Sequence, residues 1–357
     1  MSKTQIAPYT IQQWLFDEAA GRFDIDLGES GIQHHHIEDL HISTNYDLNY
    51  CQDRGHLQLR QSVAEMYGVT CEQVAITNGS QEGLYLFYQS LLQKGDHVIT
   101  FTPGWQQSWE VPRFLGAEVT RIPLKVEDGY RIDWQQVRDC VRSNSRLLIL
   151  TYPNNPTGTA LSHEDRQAVD ELIQQKGMFV LNDEEYLTDY SSSFCHISGR
   201  TAVVSGLSKI YGFPGLRLGW IISDKDTIDA VVNMKRYTSV CNSSLCEYLA
   251  VQVLQRRQEF VDRYFRIQQD GLVYLQDWMA SVDCMEMVPP QGTPFAYIRL
   301  QSPMSSMEFC RGLLEQERVL IMPAEVFEDQ MALRLSFGRH TDLLARGLKK
   351  VGKFING

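Results

Sequence analysis

The residue types and the spacing of Lys209 and Arg217 suggest a reactive site. Lys209 ends the segment 206–209 (Gly-Leu-Ser-Lys), and Arg217 lies eight residues later in the segment 215–219 (Gly-Leu-Arg-Leu-Gly). A lysine on a loop after a strand can lose its proton and act as an amine nucleophile. An arginine offers a fork of donors suited to phosphate. The pair therefore indicates an amine nucleophile beside an anion site.

A second anion-binding feature lies at residues 78–83 (Asn-Gly-Ser-Gln-Glu-Gly), between a predicted strand and a predicted helix. Glycine lets backbone amides approach an anion closely, and a helix N-terminus presents free N–H groups and a positive dipole end. The segment predicts a phosphate cradle, although a plain strand-to-helix turn would have the same sequence.

Two further segments place polar side chains after predicted strands. In the segment 153–158 (Pro-Asn-Asn-Pro-Thr-Gly), two prolines bracket Asn154 and Asn155 on a rigid turn. Asp183 and Tyr186 follow another strand, so that a carboxylate and a phenol could contact two parts of one ring. Pyridoxal phosphate (PLP) needs an amine, an anion cradle and a carboxylate beside its ring nitrogen. Each feature alone is commonly structural, but together they predict a PLP site.

The elements that position these side chains alternate between apolar runs and polar segments compatible with helices. Such alternation predicts an α/β domain on a mainly parallel sheet, in which ligands lie beyond the carboxyl ends of the strands. The predicted strands are Val74–Thr77, His97–Phe101, Val119–Leu124, Leu147–Tyr152, Met178–Asn182, Ala202–Ser205 and Leu218–Ile222.

The rest of the chain predicts a second, smaller α+β domain. Residues 226–279 have a helical pattern, and two short strands, Phe295–Leu300 and Ala332–Phe337, alternate with helices after them. Near the N-terminus, Thr10 and Gln13 form a capping-box pattern for a first helix. We therefore predict a large PLP-binding domain at 43–250 and a small domain made of 1–42 and 251–357.

Charge and composition exclude several classes of partner. The net charge is −11 over 357 residues, with no basic cluster, so neither nucleic acid nor an anionic membrane surface is expected. No secretory signal and no apolar run of membrane-spanning length is visible. The eight cysteines are scattered without a CxxC pair, which predicts reduced thiols, a cytoplasmic location and no metal site.

The motifs at 153–158, 206–209 and 215–219 resemble, in combination, those of the class I/II aminotransferases, which have PLP fold type I. The resemblance extends from about Asp26 to Gly338. It implies that Lys209 holds PLP as a Schiff base and acts as the general base and acid at the substrate Cα. It also implies that Asp183 keeps the pyridine nitrogen protonated, and that Tyr186 and Asn155 contact the ring oxygen.

The same resemblance assigns the remaining cofactor and substrate contacts. The implied phosphate ligands are Ser80, Gln81, Ser208 and Arg217. Trp105 matches the aromatic residue that stacks on the ring, and Arg334 matches the arginine that binds the substrate α-carboxylate. Tyr50 matches the tyrosine that reaches the phosphate of the neighbouring subunit, which implies a homodimer with shared active sites.

Three departures from the family pattern concern the site. Gly206 stands where the family often has a hydroxyl for the phosphate. Ala324 and Glu325 follow Pro323 where Pro-Gly is common, and the segment 26–32 (Asp-Leu-Gly-Glu-Ser-Gly-Ile) replaces the usual Gly-x-Gly-x-Pro-Asp. The last two departures fall where the substrate side chain should lie, so they question simple transamination.

The N-terminal pattern resembles that of capreomycidine synthase-like enzymes, which cyclise hydroxylated arginine. That resemblance implies loss of a side-chain hydroxyl as water and ring closure by the guanidine, giving capreomycidine or enduracididine. A guanidinium substrate calls for carboxylates, and the candidates by position are Glu29, Glu325 and Glu184. The run at 34–36 (His-His-His) could add an acid or base near the side chain, or could be a solvated loop.

Three alternatives to a cyclase stay open. The enzyme could be an ordinary aminotransferase, or it could catalyse another PLP reaction at the arginine Cα, such as oxidation or elimination. A non-catalytic binding module would keep the fold without the chemistry. The complete set of Lys209, Asp183 and Arg334 argues against that module.

Overall fold

The computed structural model describes residues 5–43, 45–197 and 199–356, which form three β-sheets with helices packed around them. In chain order the strands are β1 (Ile25–Asp26), β2 (Val74–Thr77), β3 (His97–Thr102), β4 (Glu118–Pro123), β5 (Ser145–Thr151), β6 (Phe179–Asp183), β7 (Thr201–Gly206), β8 (Gly219–Ser223), β9 (Met285–Met287), β10 (Phe295–Leu300), β11 (Val319–Leu320), β12 (Met322–Pro323) and β13 (Ala332–Ser336).

The helices lie mainly between these strands in sequence. They are α1 (Thr10–Gln12), α2 (Leu57–Tyr67), α3 (Ser80–Leu91), α4 (Gln107–Phe114), α5 (Trp134–Cys140), α6 (His163–Lys176), α7 (Lys225–Lys235), α8 (Ser244–Gln255), α9 (Arg257–Met279), α10 (Ser306–Glu317) and α11 (Thr341–Ile355). A π-helix (Gln13–Glu18) continues α1. Among the described residues, no helix combines the length and the apolar character that crossing a bilayer requires.

The largest sheet has the order β2-β8-β7-β6-β5-β3-β4. Six of its strands run in one direction, and β8 runs in the opposite direction. Its central strands are rich in Val, Ile and Leu and are buried, as expected for a sheet covered on both faces. The carboxyl ends of β5, β6 and β7 therefore meet at one edge. The predicted α/β fold class is confirmed, and each predicted strand of this sheet agrees with an observed one within two residues.

The second sheet is antiparallel, in the order β12-β13-β10-β9. β1 pairs in parallel with β11, and the amide of Leu27 donates to the carbonyl of Leu320 at 2.9 Å. The N-terminal segment is thus attached to the C-terminal part of the chain, as the predicted small domain requires. The exact domain boundaries remain a prediction.

The first helix is anchored differently from the predicted capping box. Its N-cap is Tyr9, which makes no side-chain cap. The Thr10 hydroxyl instead donates to Gln106 Oε1 at 2.9 Å, beside α4. The buried Trp14 indole donates to the carbonyl of Ile321 at 3.1 Å. Long-range contacts therefore replace the local cap and place this helix over the edge of the large sheet.

Candidate active site

A cleft of about 560 Å³ lies at the carboxyl ends of β5, β6 and β7, with the first helix and Arg334 of β13 also contributing to its wall. It brings together nearly all the cofactor residues predicted from the sequence. Those lining it are Ser80, Gln81, Trp105, Asn155, Asp183, Tyr186, Ser208, Lys209 and Arg217.

The anion end of the cleft is built around the N-terminus of α3, which begins at Ser80. Gly79 precedes it with a φ of 79°, and a Cβ atom at this position would lie 2.6 Å from Nη2 of Arg217. The positive φ favours glycine at this position, and the absence of a side chain lets the guanidinium approach the backbone turn closely. Free amides, the Ser80 and Ser208 hydroxyls and a guanidinium then face the same space, which suits a phosphate.

The reactive end of the cleft contains an ion pair. Nζ of Lys209 lies 2.7 Å from Oε1 of Glu29, and the same oxygen accepts the amide of Gly31 at 3.0 Å. Burial alone would raise the pKa of Glu29, but the charges of Lys209 and Arg339 outweigh it and hold the pKa below its ordinary value. Glu29 is therefore a carboxylate in direct contact with the predicted catalytic lysine.

Arg339 holds the segment that carries Glu29. Its guanidinium is 4% exposed and donates to the carbonyls of Asp26 and Gly31 at 2.8 Å and of Glu29 at 3.1 Å. The Asp26 carboxylate also accepts the amide of Glu29 at 2.9 Å. The Glu29 backbone is thus fixed from two sides. We did not predict this role for Arg339, because the residues it binds lie about 310 positions earlier in the sequence.

Arg334 is placed to bind a carboxylate. Its Nη1 donates to Asn155 Oδ1 and its Nη2 to the carbonyl of Gly28, each at 2.7 Å. The guanidinium lies 5.3 Å from the ring centroid of Phe295 and 5.0 Å from that of Phe327, so it is held between two aromatic faces. Its buried Nε has no partner among the described residues. A planar cation fixed in this way suits an α-carboxylate.

The residues predicted to contact the PLP ring lie between these two ends. Burial raises the pKa of Asp183, and the neighbouring Glu185 raises it further. A protonated pyridine nitrogen would supply the cation that this carboxylate lacks. The Asn155 amide lies 3.5 Å from the Tyr186 hydroxyl, and Trp105 contributes an aromatic surface to the cleft. The residues present therefore fit PLP at its phosphate, its ring nitrogen and its ring oxygen.

Two of the carboxylates predicted to bind a guanidinium, Glu325 and Glu184, do not line the cleft. Glu325 accepts the Ser306 hydroxyl and, at 2.9 Å, the amide of Met307, so it caps the N-terminus of α10. Glu184 is buried on the opposite side of β6, where the Ser193 hydroxyl donates to it at 2.7 Å. In each case the carboxylate is occupied by hydrogen bonds to its own structural neighbours.

The three consecutive histidines at positions 34–36 also lie outside the cleft. His35 stacks on Phe213 with the ring centroids 4.6 Å apart and contacts Asp39 at 2.9 Å, while His34 and His36 are exposed. None of the three lines the cleft. Among the described residues no His, Cys, Asp and Glu side chains are grouped as a metal site.

Tyr50 lies away from the cleft of its own chain and is 87% exposed. It shares a surface depression with Leu48 and Cys241, and the nearby Tyr237 is 81% exposed. The predicted contact of Tyr50 with the phosphate of a neighbouring subunit stays a prediction.

The cleft also contains residues without a predicted role. Glu185 lies two positions after Asp183, and the alternation of side chains along a strand could have indicated that both face the same side. The first helix also contributes several side chains to the cleft, and no local sequence pattern predicts that they lie there. They are Ile11, Gln12, Leu15 and Phe16, and Ser30 joins them from the following loop.

Comparisons with known proteins agree with this geometry. The aspartate aminotransferase of Thermotoga maritima is 24% identical over 325 residues, covering 87% of this chain and 84% of the relative. The capreomycidine synthase of Streptomyces vinaceus is 25% identical over 287 residues, covering 78% of this chain and 74% of the relative.

A solved structure of a PLP-dependent cyclase, OrfR, has the same fold. It superposes with a TM-score of 0.90 over 99% of this chain and 98% of its own, at 24% identity. The sequence also matches the family described as aminotransferase class I and II over residues 30–351. The chain therefore belongs to the class I and II aminotransferase family and is a PLP-dependent enzyme.

Proposed function

We propose that this enzyme eliminates water from a hydroxy-L-arginine and closes the side chain into a cyclic guanidine amino acid. The observation that carries the proposal is the contact of Glu29 with Lys209 inside the cleft. This contact supports the proposal because a carboxylate lies beside the lysine that would act at the substrate Cα, in the same cleft as Arg334.

The charges of the cleft favour a cationic side chain on the substrate. Of the described lining residues, three are cationic, and each has a purpose: Lys209 for the reaction, Arg217 for the phosphate and Arg334 for the α-carboxylate. An acidic substrate side chain would be repelled by Glu29, and no further cationic residue of this chain lines the described cleft to neutralise it. A guanidinium would instead form a charge-assisted hydrogen bond with Glu29.

The side chains of the cleft can move the protons that the reaction requires. PLP, when bound, supplies an electron sink for the electrons left at Cα. Lys209 removes the Cα proton through Nζ and can itself pass that proton to the leaving hydroxyl, while Glu29 holds the guanidinium in the same cleft. For a 3-hydroxyl group, a guanidine nitrogen then bonds to Cβ and loses a proton, and one proton returns to Cα. For a 4-hydroxyl group, Lys209 must also remove a Cβ proton before the hydroxyl leaves, and that proton returns to Cβ after a guanidine nitrogen has bonded to Cγ. The net change is the loss of one water.

An aminotransferase acting on an amino acid is the second candidate. It is supported because Lys209, Asp183 and Arg334 line one cleft and because the relative from Thermotoga maritima is an aspartate aminotransferase. The capreomycidine synthase relative supports the cyclase, although the aspartate aminotransferase of Streptomyces avermitilis is more similar, at 28% identity over 318 residues. Another reaction at the arginine Cα, oxidation or elimination, would use the same groups.

The assembly and location are also proposals. A homodimer with shared active sites would cover the exposed Leu48, Tyr50 and Tyr237, which are 75%, 87% and 81% exposed. Burying such side chains is favourable, so they are suited to an interface. We keep the cytoplasm as the proposed location, because eight scattered free thiols fit a reducing compartment.

The proposal is tested by incubating the PLP-loaded protein with 3-hydroxyarginine and, separately, with 4-hydroxyarginine, both without a keto acid. Mass spectrometry with a ¹⁵N-labelled α-amino group follows the products. Loss of one water with the label retained identifies a cyclase, and the reactive isomer identifies the product as capreomycidine or enduracididine. Lys209→Ala serves as the inactive control.

Two other results would support one of the alternative functions instead. Transfer of the ¹⁵N label to an added keto acid, with no loss of water, would identify an aminotransferase. Release of the label as ammonia would identify oxidation or simple elimination.

A further inference from the structure

We propose that Glu185 is a ligand of the PLP phosphate and binds it as a protonated carboxyl group, a hydrogen-bond donor in the space that Gly206 leaves open. This inference concerns the cofactor and does not depend on which reaction the enzyme catalyses.

The position of Glu185 is the first observation. It lies just after β6 and is 6% exposed, and it lines the same cleft as Ser80, Ser208 and Arg217. Its Oε2 atom is buried without a hydrogen-bond partner among the described residues. A buried carboxyl oxygen without a partner is costly, so a bound group that satisfies it is favoured. The phosphate is the group this end of the cleft is built to hold.

Gly206 provides the second observation. A Cβ atom at this position would lie 3.1 Å from Oε1 of Glu185 and 2.8 Å from the carbonyl of Leu218. A larger residue is therefore excluded mainly by the Leu218 carbonyl, and its side chain would also crowd the Glu185 carboxyl. Position 206 is where the family often has a hydroxyl for the phosphate. The glutamate carboxyl thus lies beside the position where that hydroxyl would be, and only its protonated form can donate a hydrogen bond as a hydroxyl does.

The charges around Glu185 decide its protonation state. Asp183 and Glu29 oppose its ionisation, while a hydrogen bond from Ser80 and the charges of Lys209 and Arg217 favour it. Burial is the largest influence and raises the pKa of Glu185 above its ordinary value. A bound phosphate adds negative charge and engages Arg217, so it favours the protonated carboxyl further. Binding of PLP should then depend on one proton held at Glu185.

The test measures the dissociation constant of PLP from the full-length apoenzyme between pH 6 and 9. Pyridoxal, which lacks the phosphate, is the matched probe, because it reports the pH dependence of its reaction with Lys209 alone. For the wild type, we expect the ratio of PLP affinity to pyridoxal affinity to fall as the pH rises. Above the pKa of the Glu185 carboxyl, the fall should be about tenfold per pH unit.

Two variants separate the protonated from the ionised carboxyl. Glu185→Gln keeps a donor and the shape, so it should bind PLP as tightly as the wild type at low pH and lose the pH dependence of the ratio. Glu185→Val removes the donor and should weaken PLP binding roughly tenfold, with pyridoxal binding unchanged. The ³¹P resonance of bound PLP should shift with the titration in the wild type and stay constant in Glu185→Gln.

Two results would overturn the proposal. If Glu185→Gln bound PLP more than tenfold tighter than the wild type at pH 7, the native carboxylate would be ionised and repelling the phosphate. If the wild-type ratio and ³¹P resonance were both independent of pH and matched those of Glu185→Gln, Glu185 would not contact the phosphate through a titrating proton. Circular dichroism checks the fold of each variant, and Glu185→Gln alone decides the outcome if Glu185→Val does not fold.

Discussion

The side chains of Lys209 and Glu29 are in contact, with 2.7 Å between Nζ and Oε1. Lys209 follows β7 of the large sheet, whereas Glu29 lies on the segment after β1, which pairs with β11 in a separate two-stranded sheet. The amide of Ile32 donates to the carbonyl of Lys209 at 3.3 Å and secures the same approach. When Lys209 is linked to the cofactor, Glu29 loses this partner and becomes available to a cationic substrate.

Replacing Glu29 should weaken the binding of arginine-like substrates. Glu29→Gln keeps the size of the side chain but removes its charge, and hydrogen bonds between charged groups contribute about 1.5–3 kcal/mol, so we expect KM to rise roughly 10- to 100-fold. Steady-state kinetics with the reactive hydroxyarginine measures this change. Glu325→Gln is the control, because Glu325 caps α10 outside the cleft. Equal KM values for the two variants would contradict the assignment of Glu29.

Replacing Arg334 should remove recognition of the α-carboxylate. Arg334→Lys retains the charge but not the planar pair of donors held by Asn155 and Gly28, and a loss of about 100-fold in kcat/KM is expected. The substrate and its methyl ester are compared in the wild type and the variant. The wild type should discriminate strongly against the ester and the variant weakly. Unchanged discrimination would show that Arg334 does not bind the carboxylate.

The buried Glu184 should make the stability of the apoenzyme depend on pH. Burial raises the pKa of Glu184 to about 7 from an ordinary value of 4.5. Because the folded-state pKa lies above the unfolded-state value, the stabilising effect of this proton is complete below pH 4.5. It is lost as the pH rises through 7, at a cost of at most about 3 kcal/mol in the free energy of unfolding.

Urea unfolding of the wild type, Glu184→Gln and the exposed-site control Glu38→Gln between pH 5 and 8 measures this dependence. The difference in stability between the wild type and Glu184→Gln should shift in favour of the variant as the pH rises. Parallel pH profiles for all three proteins would show that Glu184 does not titrate in this range.

Shared active sites can be tested with mixed subunits. Lys209→Ala lacks the reactive amine, and Tyr50→Ala lacks the side chain predicted to reach the partner's phosphate. If each site uses Lys209 of one subunit and Tyr50 of the other, one of the two sites in a mixed dimer is intact. Mixing equal amounts should then restore activity at about a quarter of the sites. Activity that never exceeds the mean of the two separate variants would place Tyr50 outside the active site.

The sequence by itself determined the large sheet and the cofactor site. Apolar runs separated by helical segments predicted β2 to β8 closely, because burial on both faces leaves a clear pattern of Val, Ile and Leu. The polar residues that end β5, β6 and β7 then had to meet, since the carboxyl ends of parallel strands share one edge. Asn155, Asp183 and Lys209 were therefore predictable from local sequence and strand direction alone.

Only the tertiary structure decided which carboxylates face the substrate and cofactor. Glu29 and Glu325 had the same standing in the sequence, but the pairing of β1 with β11 brings Glu29 to Lys209, while Glu325 caps a helix. The support that Arg339 gives to Glu29 and the space that Gly206 leaves for Glu185 likewise depend on residues far apart in the chain. Local patterns report burial and periodicity, but they carry no information about which distant segments come into contact.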